Sequence, residues 1–154
     1  MWAEGSREAR SLGVDGLGSP LPVLMEPGFS VNQRALPGAV PSIRAAVSRF
    51  LDAYDLPSSL IGDIRLALSE ACANVVRHAY RGGAPGDVRC EVAVVDDEVV
   101  IGVSDWGCGF DAPSYRPGLG LGVQVMAMVA DSVLVSRDDG KTLVTLRFRL
   151  PVSA

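Results

Sequence analysis

The sequence is short of most residues that announce a chemistry. It holds one histidine and three cysteines in 154 positions, too few and too scattered for a metal centre of paired Cys or His ligands. Cys72, Cys90 and Cys108 are odd in number and widely spaced, which points to reduced thiols in a cytoplasmic protein rather than a disulfide framework. There is no run of lysine or arginine, and the formal net charge is −4. Neither nucleic acid nor an anionic membrane surface is therefore the expected partner. The longest apolar stretches, such as residues 123–130 with Gln124 inside them, are far too short to span a bilayer. The opening residues Met1-Trp2-Ala3-Glu4-Gly5-Ser6-Arg7 have no continuous apolar segment behind them, so a secretory signal is not expected. What the chain does have is apolar content: 48 % hydrophobic residues, enough to bury one core in a single domain.

Residues 1–27 are rich in Gly, Ser and Pro without sustained periodicity and read as a flexible N-terminal extension. Residues 28–154 read as one domain. Alternation over 29–35 suits a first strand at a sheet edge, and Ile43, Val47, Phe50, Leu51 and Tyr54 recur at helical spacing behind Pro41. Leu56-Pro57-Ser58-Ser59 ends that helix and offers a serine N-cap to a second one over residues 60–80. Strands are expected over 88–95, 99–104, 133–136 and 143–150, with hairpin turns at Asp96-Asp97-Glu98 and Asp138-Asp139-Gly140. A loop with many glycines precedes a third helix over 123–130. The order β-α-α-β-β-loop-α-β-β predicts an α/β two-layer sandwich: a mixed, mostly antiparallel sheet with helices on one face.

The second helix carries two stripes. Ile64, Leu68, Ala71, Val75 and Ala79 make an apolar one, while Glu70, Asn74 and His78, each four apart, stack along another face. Taken alone, that row fits a wet helix face with a capping histidine better than it fits a site. Two glycine-rich segments shift the balance. Asp105-Trp106-Gly107-Cys108-Gly109 follows directly on a strand, where a carboxylate beside bare backbone can accept from a flat ligand such as an adenine amine; an ordinary tight turn has the same composition. Gly118-Leu119-Gly120-Leu121-Gly122 opens a helix, whose free N–H groups and positive dipole end suit a phosphate; a flexible hinge would look alike. It is not a Walker loop, since no Gly-Lys-Ser/Thr follows, nor a dinucleotide fingerprint, since no strand leads straight into it.

Jointly, Glu70-x-x-x-Asn74, Asp105-x-Gly107-x-Gly109 and Gly120-Leu121-Gly122 resemble the Asn box and the two glycine boxes of the GHKL (Bergerat-fold) ATP-binding superfamily of gyrase, MutL and histidine-kinase catalytic domains. The resemblance covers about residues 29–150. The small size and the run Leu68-Ser69-Glu70-Ala71-Cys72-Ala73-Asn74, with Arg77-His78-Ala79-Tyr80 behind it, look most like the anti-sigma factor serine/threonine kinases. The short segment 111–117 fits their reduced ATP lid.

That resemblance implies a Bergerat ATP-binding fold with ATP and Mg²⁺ as cofactors. Asn74 would be the metal ligand and Glu70 the general base taking a hydroxyl proton. Asp105 would accept from adenine, with Gly107 and Gly109 leaving room for the ring. The segment of Gly118, Leu119, Gly120, Leu121 and Gly122 would wrap the phosphates. Arg77 and His78 would either touch phosphate or simply pack, His78 reading first as a packing residue, and Arg44 matches in position an arginine that grips protein partners. The family pattern Gly-Thr in the last strand pair, whose Thr supports adenine, is here Gly140-Lys141-Thr142. Strand alternation then predicts that Thr142 points to the opposite face. The implied function is a serine/threonine kinase that phosphorylates a small antagonist protein and sequesters a sigma factor, with a homodimer as one arrangement. An ATP-bound switch with little turnover is the alternative, left open by the displaced threonine. A sensor histidine kinase is disfavoured, because no phosphoacceptor helix pair is seen upstream.

Overall fold

The computed structural model describes residues 28–108 and 118–152, the side chains of 118–120 excepted. The expected extension over 1–27, the lid segment 111–117 and Gly109 lie outside the described residues. The chain forms β1 (Phe29–Arg34), α1 (Ala39–Leu51), a 3₁₀ turn (Asp52–Tyr54), α2 (Ser58–Asn74), a π-helical turn (Val75–Ala79), β2 (Asp87–Val95), β3 (Glu98–Asp105), α3 (Gly118–Val129), β4 (Ser132–Asp138) and β5 (Lys141–Arg149). The five strands make one sheet in the order β1-β2-β3-β5-β4, and every neighbouring pair is antiparallel.

A partly parallel sheet was expected, and the connections explain the difference. Two helices lie between β1 and β2, so the chain crosses the sheet twice and β2 returns against β1. One helix lies between β3 and β4, which makes those two strands parallel. They never touch, because β5 is inserted between them. The same path brings the end of β3, the end of α2 and the start of α3 to one end of the sheet.

One face of the sheet carries the core. Val88, Cys90 and Val92 of β2, Val99, Ile101 and Val103 of β3, and Val144, Leu146 and Phe148 of β5 alternate inward. They meet Ile43, Val47 and Leu51 of α1, Met126 of α3, and the full predicted stripe Ile64, Leu68, Ala71, Val75 and Ala79. Phe50 and Tyr54 sit at the rim of the α1 stripe instead of under it. Phe50 stacks on Phe29 with ring centroids 5.5 Å apart, and Tyr54 lies 5.5 Å from Phe50.

Two local expectations are corrected, and the last hairpin turns where expected. No serine caps α2: the helix already begins at Ser58, behind Pro57 and the left-handed Asp55, and no side-chain cap bond forms. The third helix starts at Gly118, five residues before the expected Val123, so Gly118, Gly120 and Gly122 are its first turns rather than a preceding loop. Three glycines oppose a helix by propensity, but α3 packs on α2 and tertiary contact overrides that preference. The β4–β5 hairpin turns on Asp139 and Gly140, both at positive φ (49° and 76°), the signature of a type I′ turn. Leu68 is 1 % exposed at the centre of the core. Leu68→Ala is expected to cost about 2–5 kcal/mol, read as a lowered midpoint in urea denaturation.

Candidate active site

Glu70 and Asn74 lie one α-turn apart at the C-terminal end of α2, on the side facing α3. The fit there is tight. A Cβ added to Gly122 would come within 3.3 Å of Asn74 Nδ2, Asn74 Oδ1 and Glu70 Oε2, so glycine is what lets α3 approach both side chains. The Asn74 amide nitrogen is buried and makes no hydrogen bond. A buried amide without a partner is costly unless something else satisfies it.

Immediately after Asn74 the helix widens into the π turn. The four-residue spacing that stacks Glu70 below Asn74 therefore no longer stacks His78 above it. His78 is half-buried and contacts Arg81, while burial first, then Arg81 and Arg77, lowers its pKa. Arg77 is exposed. Neither side chain joins the Glu70–Asn74 pair.

The loop after β3 closes on that π turn. The Cys108 N–H donates to Ala79 O at 2.7 Å, and Cys108 Sγ donates to His78 O at 3.2 Å. Gly107 lies so close that a Cβ there would sit 1.9 Å from Ala79 O. Its N–H donates to Asp105 Oδ1 at 2.9 Å. Asp105 is 6 % exposed, and burial raises its carboxyl above the usual value, against the opposing pull of the Gly107 N–H and the Arg137 charge. Tyr80 Oη accepts from the Trp106 N–H at 3.0 Å and donates to Asp87 O, tying the same loop to β2.

Thr142 overturns its predicted orientation. It is in register with Asp105 across the β3–β5 pair and shares its face, the one that carries Val103 and Val144. It is buried at 1 % exposure, and its Oγ1 accepts from Arg137 Nη1 at 3.1 Å. Lys141 is the residue that goes to the other face, with its Nζ 5.8 Å from the Trp106 ring centroid. The two-residue turn makes Lys141 the first residue of β5, so the hairpin, not the distance from Gly140, sets the register.

Arg44 is bound within the α1–α2 interface, its Nη1 donating to Ser69 Oγ at 3.2 Å, one residue before Glu70. Leu121 is 65 % exposed at the start of α3. Gly118, Leu119 and Gly120 are placed only as helical backbone. Two residues of the site escaped the sequence reading: Tyr80 and Arg137. For Arg137 a signal existed, because Val133, Val135 and Arg137 alternate on one side of β4 and an arginine ends a core-facing row.

Among the described residues no group of three or more His, Cys, Asp or Glu could hold a metal by itself. The donor set fits a cation that arrives with phosphate, since Mg²⁺ keeps several waters and takes few protein ligands. Asn74 offers one side-chain oxygen beside the helix start.

A helix-borne Glu/Asn pair, a strand-end Asp with a glycine turn, and a glycine-opened helix thus meet at one end of a five-stranded sheet. The chain belongs to the histidine kinase-like ATPase domain family, which matches residues 33–148, and family membership carries ATP binding with it. It is 32 % identical over 129 residues to the serine-protein kinase RsbW of Bacillus licheniformis, covering 74 % of this chain and 81 % of that one. It is also 32 % identical over 121 residues to the anti-sigma F factor of Clostridium beijerinckii, covering 70 % and 85 %. The solved RsbU and RsbW domains of a Mycobacterium tuberculosis protein superpose with a TM-score of 0.64 at 24 % identity over 82 % of this chain. This chain spans 34 % of that solved chain, so the likeness there is of fold.

Gly107→Ala tests the closure of the loop on the π turn. The added methyl has backbone on its path, and overpacking of this kind is expected to cost about 1–3 kcal/mol in urea unfolding, with an altered Trp106 fluorescence in the folded variant.

Proposed function

We propose that this chain is an ATP-dependent serine/threonine protein kinase and anti-sigma factor. It phosphorylates a Ser or Thr on a small antagonist protein and holds a sigma factor when that antagonist is not available. The observation that carries this reading is the Glu70–Asn74 pair under Gly122: a carboxylate and a carboxamide on successive turns, held against the glycine start of a helix. The names of the relatives, a serine-protein kinase and an anti-sigma factor, support the same activity.

In this reading Asn74 presents its oxygen to Mg²⁺, which when bound supplies neutralisation of phosphate charge. Glu70 takes the proton of the incoming hydroxyl as its oxygen bonds to the γ-phosphorus, and the bond to the bridging oxygen breaks to release ADP. Asp105 accepts from the adenine amine, Thr142 lies beside it, and Gly107 keeps the turn low enough for the ring. The start of α3 receives the phosphates. Arg44, anchored on Ser69, belongs to the surface offered to the protein partner. The cytoplasm suits the three unpaired cysteines, two of them buried. The switch-only alternative leaned on a displaced threonine; with Thr142 opposite Asp105, that motive is gone.

The test is transfer of label from γ-labelled ATP, with Mg²⁺, to candidate antagonist proteins encoded in the same genome, with light scattering on the same samples to read whether copies pair. Glu70→Ala is expected to lower transfer by about 10²–10⁴-fold while ATP affinity stays within about threefold. Nucleotide binding without transfer to any candidate would favour the switch, and no nucleotide binding would overturn both.

Asp105 adds a pH signature. Its carboxyl, desolvated among Gly107, Arg137 and Tyr80, protonates above the ordinary aspartate value of 3.8. Only the ionised form offers both oxygens as acceptors to an amine, so ATP affinity should fall as pH drops through that raised value. Titration calorimetry across mildly acidic pH should show the loss, and Asp105→Asn should weaken binding and flatten the limb.

A further inference from the structure

We infer that Arg137 is a positioning residue for the adenine end of the pocket, holding Thr142 and Gly107 in the arrangement that lets Asp105 and Thr142 address the base together. The inference rests on the ATP-kinase reading above and concerns how the base is told apart.

Arg137 on β4 is in register with Thr142 on β5, and Thr142 is in register with Asp105 on β3. The three side chains therefore form one row across three neighbouring strands, on the face covered by the helices. A guanidinium has five N–H donors in a planar fork and accepts nothing. Here Nη1 donates to Thr142 Oγ1 at 3.1 Å and Nη2 donates to Gly107 O at 3.2 Å.

Two consequences follow from donor counting. Thr142 Oγ1 already accepts from Arg137, so its own hydrogen is directed elsewhere, with Asp105 facing it across the strand pair and the base edge beyond. Gly107 is fixed from three sides: its N–H on Asp105, its carbonyl under Arg137, and its Cα against the Ala79 carbonyl. The turn therefore cannot rock without releasing the Asp105 oxygen it binds. The Arg137 charge also works against the burial that raises the Asp105 carboxyl.

A different role would be a plain brace of the β4–β5 hairpin. The two are separated by base preference, which a brace does not control. In the full chain, dissociation constants are measured for ATP and for purine riboside triphosphate, which lacks the 6-amino group, together with the transfer rate at saturating ATP. The parent protein should prefer ATP by about tenfold or more. Arg137→Met should weaken ATP binding about tenfold, shrink that preference to within about threefold, and leave the saturating rate within about twofold. Arg137→Lys should recover only part of the preference, since an ammonium keeps the charge but not the fork. If Arg137→Met does not fold, Arg137→Gln and Thr142→Val carry the same expectation, and the two changes combined should cost no more preference than Thr142→Val alone. Parent-like preference in a folded Arg137 variant, whatever its affinity, overturns the inference and leaves the kinase reading standing. A parent protein that binds neither nucleotide overturns the kinase reading itself.

Discussion

The site hangs on one close approach: the Gly107 backbone against the carbonyl of Ala79. A helix ends with carbonyls that have no partner within it, and a buried helix end must find them elsewhere. Here the loop after β3 supplies the donors, with the Cys108 N–H on Ala79 and its thiol on His78. Only a residue without Cβ permits that distance. The contact joins the end of α2, which carries Glu70 and Asn74, to the end of β3, which carries Asp105. Without it the two halves of the pocket would be set by separate elements; with it they are set by one.

Chain direction does the rest. The double crossing through α1 and α2 sends β2 back against β1, and the single crossing through α3 returns the chain to the far side of β5. Gly107 and the start of α3 are thereby delivered to the same end of the sheet as the C-terminal end of α2. Gly122 then allows α3 to lie against Glu70 and Asn74, as Gly107 allows the loop to lie against Ala79. Two glycines on two different elements solve the same problem of backbone reaching a helix that already has its side chains in place.

Much of this is visible in the residues. The α2 stripe of Ile64, Leu68, Ala71, Val75 and Ala79 is all core, because helical period and burial say the same thing there. Glu70 and Asn74 stand out for the same reason. His78 belongs to the same arithmetic and fails it, because the π turn after Asn74 is fixed by tertiary contact and has no local mark in the sequence. Thr142 was misplaced by counting from Gly140 when the turn geometry at Asp139 and Gly140 sets the register. The start of α3 was masked by glycine propensity, which packing on α2 outweighs. Arg137 was passed over because its importance depends on Thr142 and Gly107, residues 5 and 30 positions away along the chain.

Some departures from good folding practice lie where α2, β3 and α3 meet; others, the buried Glu91 and Ser104, lie on the opposite face of the sheet. The Asn74 amide is buried without a partner, which costs about 1–3 kcal/mol in a finished core. Asp105 is desolvated enough to raise its pKa. Glycines open α3 although intrinsic helix propensity favours alanine by up to about 1 kcal/mol per position, and at Gly122 a methyl would press on Asn74 and Glu70. The apolar core around Leu68 and Ile101 is free of them. Three violations on three elements that meet at one end of the sheet suggest a ligand site there. Each is of the kind a nucleotide relieves: a bare amide for an oxygen, an acceptor for an amine, and unscreened helix N–H groups for phosphate. In the proposed reading one molecule, with a base at one end and phosphates at the other, would answer all three.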